Sequence, residues 1–333
     1  MNQRAIALWG KNEYDYPMAY GFMPNIVPYL HEDTKTRPCV LVVPGGGYCF
    51  VSPSEGEPVA DRFWDKGYQT FVLTYTVNML FNAPLQDQAL KDISRAIRVI
   101  RKNADRWHID PKRIYICGFS AGGHLCADSC VHFMETEDPD PQYRNVSARP
   151  DAAILSYPVI TSGEYAHQDS FRALLGSDIY EEHDEHSRKA LEHASLETQV
   201  SRQTPPCFLW HTATDGLVPM ENTLLFVHAL KEQGVPFAMH IFSKGNHGLS
   251  IADSSWAHGR VGENYCMEQS ILIAQAVRQD RIMLPLESKK AFLESFHEVP
   301  TKEDLQMNIP NPEVAIWPEL ADQWLETIGE QRT

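Results

Sequence analysis

Short apolar runs alternate with longer amphipathic stretches through most of this chain. The apolar runs are five to nine residues long and rich in branched and aromatic side chains, which predicts strands: 39–43, 69–77, 112–117, 152–159, 207–211 and 237–242. Most of the stretches between them have the apolar spacing of helices, which predicts helices over 57–66, from Pro84, from Ala121 and over 220–232. Strands that alternate with helices predict a mostly parallel central sheet with helices on both faces.

Two segments interrupt this alternation. Residues 160–204 are polar and rich in His, Glu and Ser, and they are expected to pass over the carboxyl edge of the sheet as a lid or cap. Residues 256–312 follow the last predicted strand and contain helical stretches with a proline-rich end. No segment before them has the composition of a linker, so residues 1–333 are predicted to form a single domain.

Composition excludes some classes of function. The net charge of −15 argues against a nucleic-acid surface, which needs clustered Lys and Arg. No window approaches the ~18 apolar residues of a spanning helix, and the apolar stretch in residues 1–11 is too short for a signal peptide. The seven cysteines are scattered and several lie in apolar segments, which predicts reduced thiols in a cytoplasmic protein. A homo-oligomer is compatible with these features.

The predicted strand at 112–117 leads into Gly-Phe-Ser-Ala-Gly, with Ser120 at its centre. Small residues two positions before and after the serine permit a sharp strand-to-helix turn that presents the hydroxyl. The segment from Ala121 onward is compatible with a helix. Ser120 is therefore the candidate nucleophile.

A serine nucleophile needs a base and a carboxylate that orients the base. Asp215 follows the strand at 207–211 in a tight turn, and His247 follows the last strand in a loop flanked by glycine. Both follow consecutive strands, so they are expected to converge on Ser120. Glu164 follows an earlier strand and is the alternative orienting acid.

A glycine-rich loop supplies the remaining part of such a site. Pro44, Gly45, Gly46 and Gly47 come directly after an early strand. Backbone N–H groups that point at a developing oxyanion can be supplied by such a loop and by the residue after the nucleophile. Gly45, Gly46 and Ala121 are the predicted oxyanion-hole donors.

With five motifs in this order, the chain resembles the esterase/lipase group of α/β hydrolases, particularly acetyl-esterase and acetylxylan-esterase-like proteins related to hormone-sensitive lipase. The motifs are PGGGY, GFSAGGH, RPDAAILSYPV, TPPCFLWHTATDGLVP and GNHG, within about residues 25–253. The chain departs from that group at two places. Pro44 stands where relatives carry histidine, and residues from about Trp256 to Ile309 have the character of an insertion before a C-terminal helix at Trp317–Leu325.

The resemblance implies an α/β-hydrolase fold and a serine carboxylesterase that uses Ser120, Asp215 and His247. It implies short-chain, principally acetyl, esters, with sugars or xylo-oligosaccharides as the alcohol, and an acyl-serine intermediate. No metal or organic cofactor, nucleic acid or membrane is expected to take part, and the partner is a small-molecule ester. An arylformamidase-like amidase, a peptidase on the same scaffold and a catalytically silent binding protein remain alternatives.

Several other residues have side chains of types that could take part in binding or catalysis. Tyr48 and Phe119 flank the glycine loop and the serine turn and are predicted to line an acyl pocket. His124 is expected to pack locally without a catalytic role, and Cys117 and Cys126 are expected to be inert in apolar surroundings. The Glu181–His186 run and His193 lack the spacing of a metal site, so a solvated charged face is predicted there.

Overall fold

The computed structural model of the chain describes residues 5–182, 184–260, 262–296 and 309–330. The strands in these ranges are β1 (Ile6–Ala7), β2 (Asn25–Tyr29), β3 (Arg37–Val43), β4 (Gln69–Thr74), β5 (Ile109–Phe119), β6 (Ala152–Ser156), β7 (Cys207–Thr212) and β8 (Phe237–Phe242). The α-helices are α1 (Glu57–Asp65), α2 (Gln88–Lys102), α3 (Ala121–Val131), α4 (Pro141–Arg144), α5 (Gln168–Leu175), α6 (Ser177–Glu181), α7 (Glu185–Ala194), α8 (Glu221–Gln233), α9 (Ser254–Ala257), α10 (Glu268–Arg278), α11 (Leu286–Ser295) and α12 (Trp317–Glu330).

The strands form one sheet in the order β1-β2-β4-β3-β5-β6-β7-β8. β1 and β2 pair antiparallel, whereas β3 to β8 pair in parallel. The carboxyl ends of parallel strands meet at one edge of a sheet, so the residues that follow β5, β7 and β8 can come together there. The predicted mostly parallel sheet is confirmed.

Helices cover both faces of the sheet, as the neighbours of β5 show. Phe119 packs edge-on against Trp317 of α12, with ring centroids 5.8 Å apart. Gly118 points to the other face, where a Cβ would lie 2.3 Å from the Gly122 carbonyl oxygen and 2.6 Å from Cys126 Sγ of α3. Because successive residues of a strand point to opposite faces, α3 and α12 lie on opposite sides of the sheet.

The helix predicted from Pro84 begins later, at Gln88. The N–H groups of Leu85 and Gln86 donate to carbonyl oxygens of α5 at 3.3 and 2.7 Å. Gln86 also has a φ of 49°, which a helix cannot contain. Pairing with a segment distant in sequence therefore delays the helix, and the amphipathic pattern alone does not reveal this.

Two predicted strands end early for a similar reason. β4 ends at Thr74, because the following backbone turns to side-chain partners, and the Thr76 N–H donates to the buried Asp92 carboxylate at 2.9 Å. β6 ends at Ser156, since Tyr157 has a φ of 36°. The sequence analysis also omits β1 and β2, which extend the sheet at one side.

The two interrupting segments lie in different places. Residues 160–204 form α5, α6 and α7 after β6. The described part of 256–312 packs near the end of β4, where the Gln269 amide binds the backbone N–H and carbonyl of Val77 at 2.9 Å each. The hydroxyls of Tyr265 and Tyr29 also meet at 2.9 Å. α12 includes the predicted C-terminal helix.

Among the described residues, none of the helices combines the length and the apolar character that crossing a bilayer requires.

Gly122 has no room for a side chain, so its replacement should destabilise the fold. A Cβ there would lie 2.2 Å from the carbonyl oxygen of Val43 and 2.4 Å from that of Pro44. Overpacking of this kind costs about 1–3 kcal/mol and occasionally more. We expect Gly122→Ala to lower the free energy of unfolding by about 3 kcal/mol in urea denaturation. The control Gly329→Ala in α12 meets nothing closer than 3.7 Å, and an equal loss in both variants would contradict this explanation.

Candidate active site

Ser120 lies in the turn between β5 and α3 with a φ of 52° and a ψ of −119°. This conformation is strained for a residue with a Cβ, and its surroundings hold it in place. The Ser120 N–H donates to the Ser156 carbonyl at 3.0 Å, and Gly118 and Gly122 let β5, α3 and the glycine loop approach each other closely. The turn presents the hydroxyl at the carboxyl edge of the sheet.

The structure brings the three predicted side chains together. His247 Nε2 lies 2.8 Å from Ser120 Oγ, and His247 Nδ1 lies 2.7 Å from Asp215 Oδ2. The Asp215 side chain is 1% exposed and that of His247 is 13% exposed. A carboxylate can only accept, so Nδ1 carries the proton and Nε2 is left to accept from the Ser120 hydroxyl.

The Asp215 carboxylate is held by further hydrogen bonds. Its Oδ1 accepts from the N–H groups of Leu217 at 2.9 Å and Val218 at 3.0 Å. Burial alone would raise the pKa of this carboxyl, but hydrogen bonds from His211 and His247 and from the backbone hold its pKa well below the ordinary value. The group is therefore ionised and fixed. Glu164, the alternative acid, is exposed, and the Nδ1 position is occupied by Asp215.

His211 supports this carboxylate from behind, and the sequence analysis does not single it out. Its Nε2 lies 2.9 Å from the Val218 carbonyl and 3.3 Å from Asp215 Oδ2. Its Nδ1 lies 2.9 Å from the Thr223 hydroxyl. With Nε2–H shared between the carbonyl and the carboxylate, Nδ1 accepts from the hydroxyl, so one ring proton serves all three contacts. The sequence feature that could have identified His211 is its position inside a strand, four residues before Asp215.

The predicted donor role of Gly45 is wrong. Its N–H donates to Glu55 Oε2 at 2.8 Å, so it is already engaged away from the cavity. Gly46 and Gly47 border the cavity instead, with φ values of 124° and 63° that favour glycine. The Gly46 N–H donates to no backbone carbonyl in the described part of the chain. Gly46 and Gly47, with Ala121 at the start of α3, are the N–H groups available for an oxyanion.

Glu55 joins the glycine loop to the histidine loop. Its second oxygen accepts from the Tyr157 hydroxyl at 2.7 Å, and that hydroxyl accepts from the Ser250 N–H at 3.0 Å. Burial raises the pKa of the Glu55 carboxyl, although these hydrogen bonds oppose the change. The Tyr157 ring also packs edge-on against His247, with centroids 4.9 Å apart. Sequence reasoning missed Glu55, because nothing local distinguishes it from the acids around it.

A cavity of about 360 Å³ opens above Ser120. Its wall includes Gly46, Gly47, His167 and His247, and three apolar side chains at its mouth are partly exposed: Phe50 (40%), Phe81 (38%) and Leu217 (55%). His167 belongs to the 160–204 segment, which thus contributes to the wall. Among the described residues, none from 256–312 borders this cavity.

The predicted pocket positions of Tyr48 and Phe119 are wrong. Both side chains are buried, at 1% and 0% exposure, and neither borders the cavity. The Tyr48 hydroxyl donates to His124 Nδ1 at 2.8 Å, and His124 Nε2–H donates to the Ala194 carbonyl at 3.0 Å. Phe119 points to the α12 face of the sheet. Adjacency in sequence to the glycine loop or the serine does not decide which way a side chain points.

His124 and the cysteines have structural surroundings. Burial lowers the pKa of His124, so its ring is neutral and bridges Tyr48 to the end of α7. None of the seven cysteines forms a disulfide. Cys117 and Cys126 are fully buried, and burial raises the pKa of both thiols well above the usual value. These thiols are therefore poor nucleophiles.

Comparisons with known proteins agree with this fold. The BD-FAE family model matches residues 28–230. The chain is 48% identical over 270 residues to an endo-1,4-beta-xylanase B of Butyrivibrio fibrisolvens, covering 81% of this chain and 41% of that protein. It is 31% identical over 232 residues to an acetylxylan esterase of Xylanibacter ruminicola, covering 68% of this chain and 44% of that protein. The chain thus spans less than half the length of both relatives.

A solved structure extends the similarity over nearly the whole chain. It is the acetyl ester-xyloside bifunctional hydrolase of Caldicellulosiruptor lactoaceticus, with 36% identity and a TM-score of 0.71. The match covers 98% of this chain and 96% of that one. The predicted α/β-hydrolase fold is confirmed by this match together with the sheet order.

Proposed function

The chain belongs to the BD-FAE family of α/β hydrolases, and from this premise we propose that it is a serine carboxylesterase for short-chain, principally acetyl, esters. The observation that carries the proposal is the unbroken hydrogen-bonded path from Asp215 through His247 to Ser120 Oγ, at 2.7 and 2.8 Å. Esters related to acetylated sugars or xylo-oligosaccharides are the proposed substrates.

In the proposed mechanism, each side chain and N–H group of the site acts from the position that it has in the structure. His247 Nε2 takes the proton of Ser120 as the hydroxyl oxygen attacks the ester carbonyl. The N–H groups of Gly46, Gly47 and Ala121 stabilise the negative oxygen of the tetrahedral intermediate. The imidazolium, stabilised by ionised Asp215, then gives its proton to the leaving alcohol and leaves an acyl-serine. A water molecule activated by His247 releases the acid and restores the serine.

The cavity favours a small acyl group and a partly apolar alcohol. Its volume of about 360 Å³ is at the low end of ligand pockets, which hold roughly 300–1,000 Å³. Phe50, Phe81 and Leu217 give its mouth an exposed apolar rim, and such patches mark ligand-binding surfaces. Two relatives are named for acetylxylan or for acetyl esters and xylosides, which supports an acetylated sugar.

A panel of substrates tests this proposal. The panel contains p-nitrophenyl acetate, butyrate and octanoate, acetylated xylo-oligosaccharide, N-formylanilide, a dipeptide amide and p-nitrophenyl β-xyloside. We expect the acetyl esters to have the highest kcat/KM, and each step in acyl length to lower it by about 10-fold or more, since one methylene is worth roughly 10–200-fold in a fitted pocket. Faster cleavage of the formylanilide, the amide or the xyloside than of the acetyl esters would contradict the proposal.

A further inference from the structure

Three potential metal ligands meet at the end of α3 that is farthest from Ser120. His132 caps the carboxyl end of this helix, Glu135 follows in the next turn, and His193 lies near the end of α7. One ligand atom from each residue lies within 4.8 Å of the other two. The cluster joins α3 to the 160–204 segment and is separate from the cavity above Ser120.

His132 is oriented as a histidine that binds a metal. Its Nδ1 lies 2.6 Å from Asp128 Oδ1, so Nδ1–H donates and the lone pair of Nε2 is available. A carboxylate behind the ring is the usual support for a metal-binding histidine. The His132 residue is 3% exposed, and its Nε2 is buried without a hydrogen-bond partner.

A buried polar atom without a partner is uncommon in a native structure and needs a reason. Here the atom lies near one further ligand atom of Glu135 and one of His193. Glu135 Oε1 lies 3.9 Å from His132 Nε2, and Glu135 Oε2 lies 3.6 Å from His193 Nε2. Two ligands of one tetrahedral zinc ion lie about 3.3 Å apart, given Zn–N bonds of about 2.0–2.1 Å. Both distances from Glu135 are therefore less than about 1 Å longer than the separation of two ligands in a zinc site.

The two outer ligands are free to close this gap. Glu135 and His193 have side chains 54% and 56% exposed, so both can change rotamer at the surface. The His193 ring stacks on the His132 ring at 4.2 Å, and a turn of this exposed ring would bring its nitrogen toward a shared ion. The Asp128 and Glu135 carboxylates place two negative charges beside the cluster, which a divalent cation would balance.

We propose that His132, Glu135 and His193 bind one divalent transition-metal ion, best matched by zinc. Two imidazoles and one carboxylate are a donor set that zinc accepts, with water in the fourth position. Asp128 holds the buried His132 in the ligating tautomer, and the exposed pair completes the site. The bound ion fastens the 160–204 segment to α3, and this role does not depend on the proposed ester hydrolysis.

The sequence pattern predicts no metal here, and it groups His193 only with the acidic run before it. Glu181 of that run instead lies 3.5 Å from Arg172, and His183 is outside the described residues. The partner that matters, His132, is far from His193 in sequence. No motif spacing connects the two residues, so only the packing of α3 against the 160–204 segment reveals the cluster.

Zinc titration of the tag-free, full-length protein tests the site. The protein is stripped with EDTA, dialysed, and titrated with zinc chloride by calorimetry, and bound zinc is counted by mass spectrometry of the metal. We expect one zinc per chain. His193→Ala and Glu135→Gln should each weaken the affinity by about 10-fold or more, since even outer-shell partners of metal sites are worth 10–100-fold.

A matched control separates this site from other surface histidines. His228 in α8 is 71% exposed and lies 3.3 Å from Glu232. His228→Ala therefore removes a histidine that is paired with a carboxylate but is not next to a buried histidine such as His132. This variant should bind zinc as the wild type does. His193→Ala and Glu135→Gln should keep the wild-type unfolding temperature without zinc, which shows that a ligand was lost and not the fold.

Three results would overturn the proposal. The first is no stoichiometric zinc binding by the wild type. The second is unchanged affinity in both His193→Ala and Glu135→Gln. The third is zinc binding that persists in those variants and disappears in His247→Ala, which would place the ion in the cavity above Ser120.

Discussion

Replacing Ser120 by alanine should abolish ester hydrolysis and leave the fold intact. The Ser120 hydroxyl hydrogen-bonds to His247 Nε2, and no other hydroxyl or thiol among the described residues makes a hydrogen bond to this nitrogen. Loss of a catalytic serine costs roughly 10⁴- to 10⁶-fold in kcat. Alanine tolerates the φ of 52° no worse than serine does, because the strain arises at Cβ. The measurement is kcat/KM for p-nitrophenyl acetate, with circular dichroism to monitor the fold.

A second serine in the same cavity provides the control. Ser54 borders the cavity, and its hydroxyl lies 3.0 Å from that of Ser52, away from the relay. We expect Ser54→Ala to retain activity within about 10-fold of the wild type, because it removes one neutral hydrogen bond, worth about 1 kcal/mol. Comparable activity in Ser120→Ala and the wild type would show that another group is the nucleophile.

Asp215→Asn should lower kcat by roughly 10⁴-fold, the loss expected when the orienting carboxylate becomes an amide. The Asn side-chain oxygen can keep the Oδ1 contacts to the N–H groups of Leu217 and Val218. Its NH₂ would then face His247 Nδ1, which must accept, so Nε2 would carry the proton and could not act as a base. The positions of the side chains are thus retained, but His247 is in the tautomer that cannot act as a base. Because substrate binding does not depend on this proton, KM for the acetyl ester should change little.

Glu164→Gln is the matched control for this substitution. Glu164 is the other acid that the sequence offers for the orienting role, and it is exposed. The same carboxylate-to-amide change at this position should leave kcat unchanged. A large loss in Glu164→Gln with a small loss in Asp215→Asn would assign the orienting role to Glu164, contrary to the geometry.

The sequence predicts the parts of this molecule that depend on local pattern. The strand at Phe237–Phe242 has the predicted bounds, and α3 begins at Ala121 as the serine motif implies. Buried strands are marked by continuous apolar runs, and the sharp turn is marked by glycine. Because parallel strands end at one edge, chain order alone predicts that Ser120, Asp215 and His247 meet.

The features that the sequence does not predict depend on where individual N–H groups and side chains point. Gly45 and Gly46 are adjacent and identical, yet one N–H binds buried Glu55 and the other borders the cavity. The choice depends on dihedral angles that any glycine can adopt. Tyr48 and Phe119 flank the site in sequence but point into the core, because tertiary packing determines where their rings lie.

The proposed ester hydrolysis depends on activation of Ser120 by His247, and a fluorophosphonate probe tests this activation directly. Intact protein is treated with the probe, digested, and mapped by peptide mass spectrometry, with folded His247→Ala treated in parallel. We expect one adduct per chain, on Ser120, and slow or absent labelling of His247→Ala. Folded wild-type protein that takes up no probe, or takes it up on a different residue, would contradict the proposed role of Ser120.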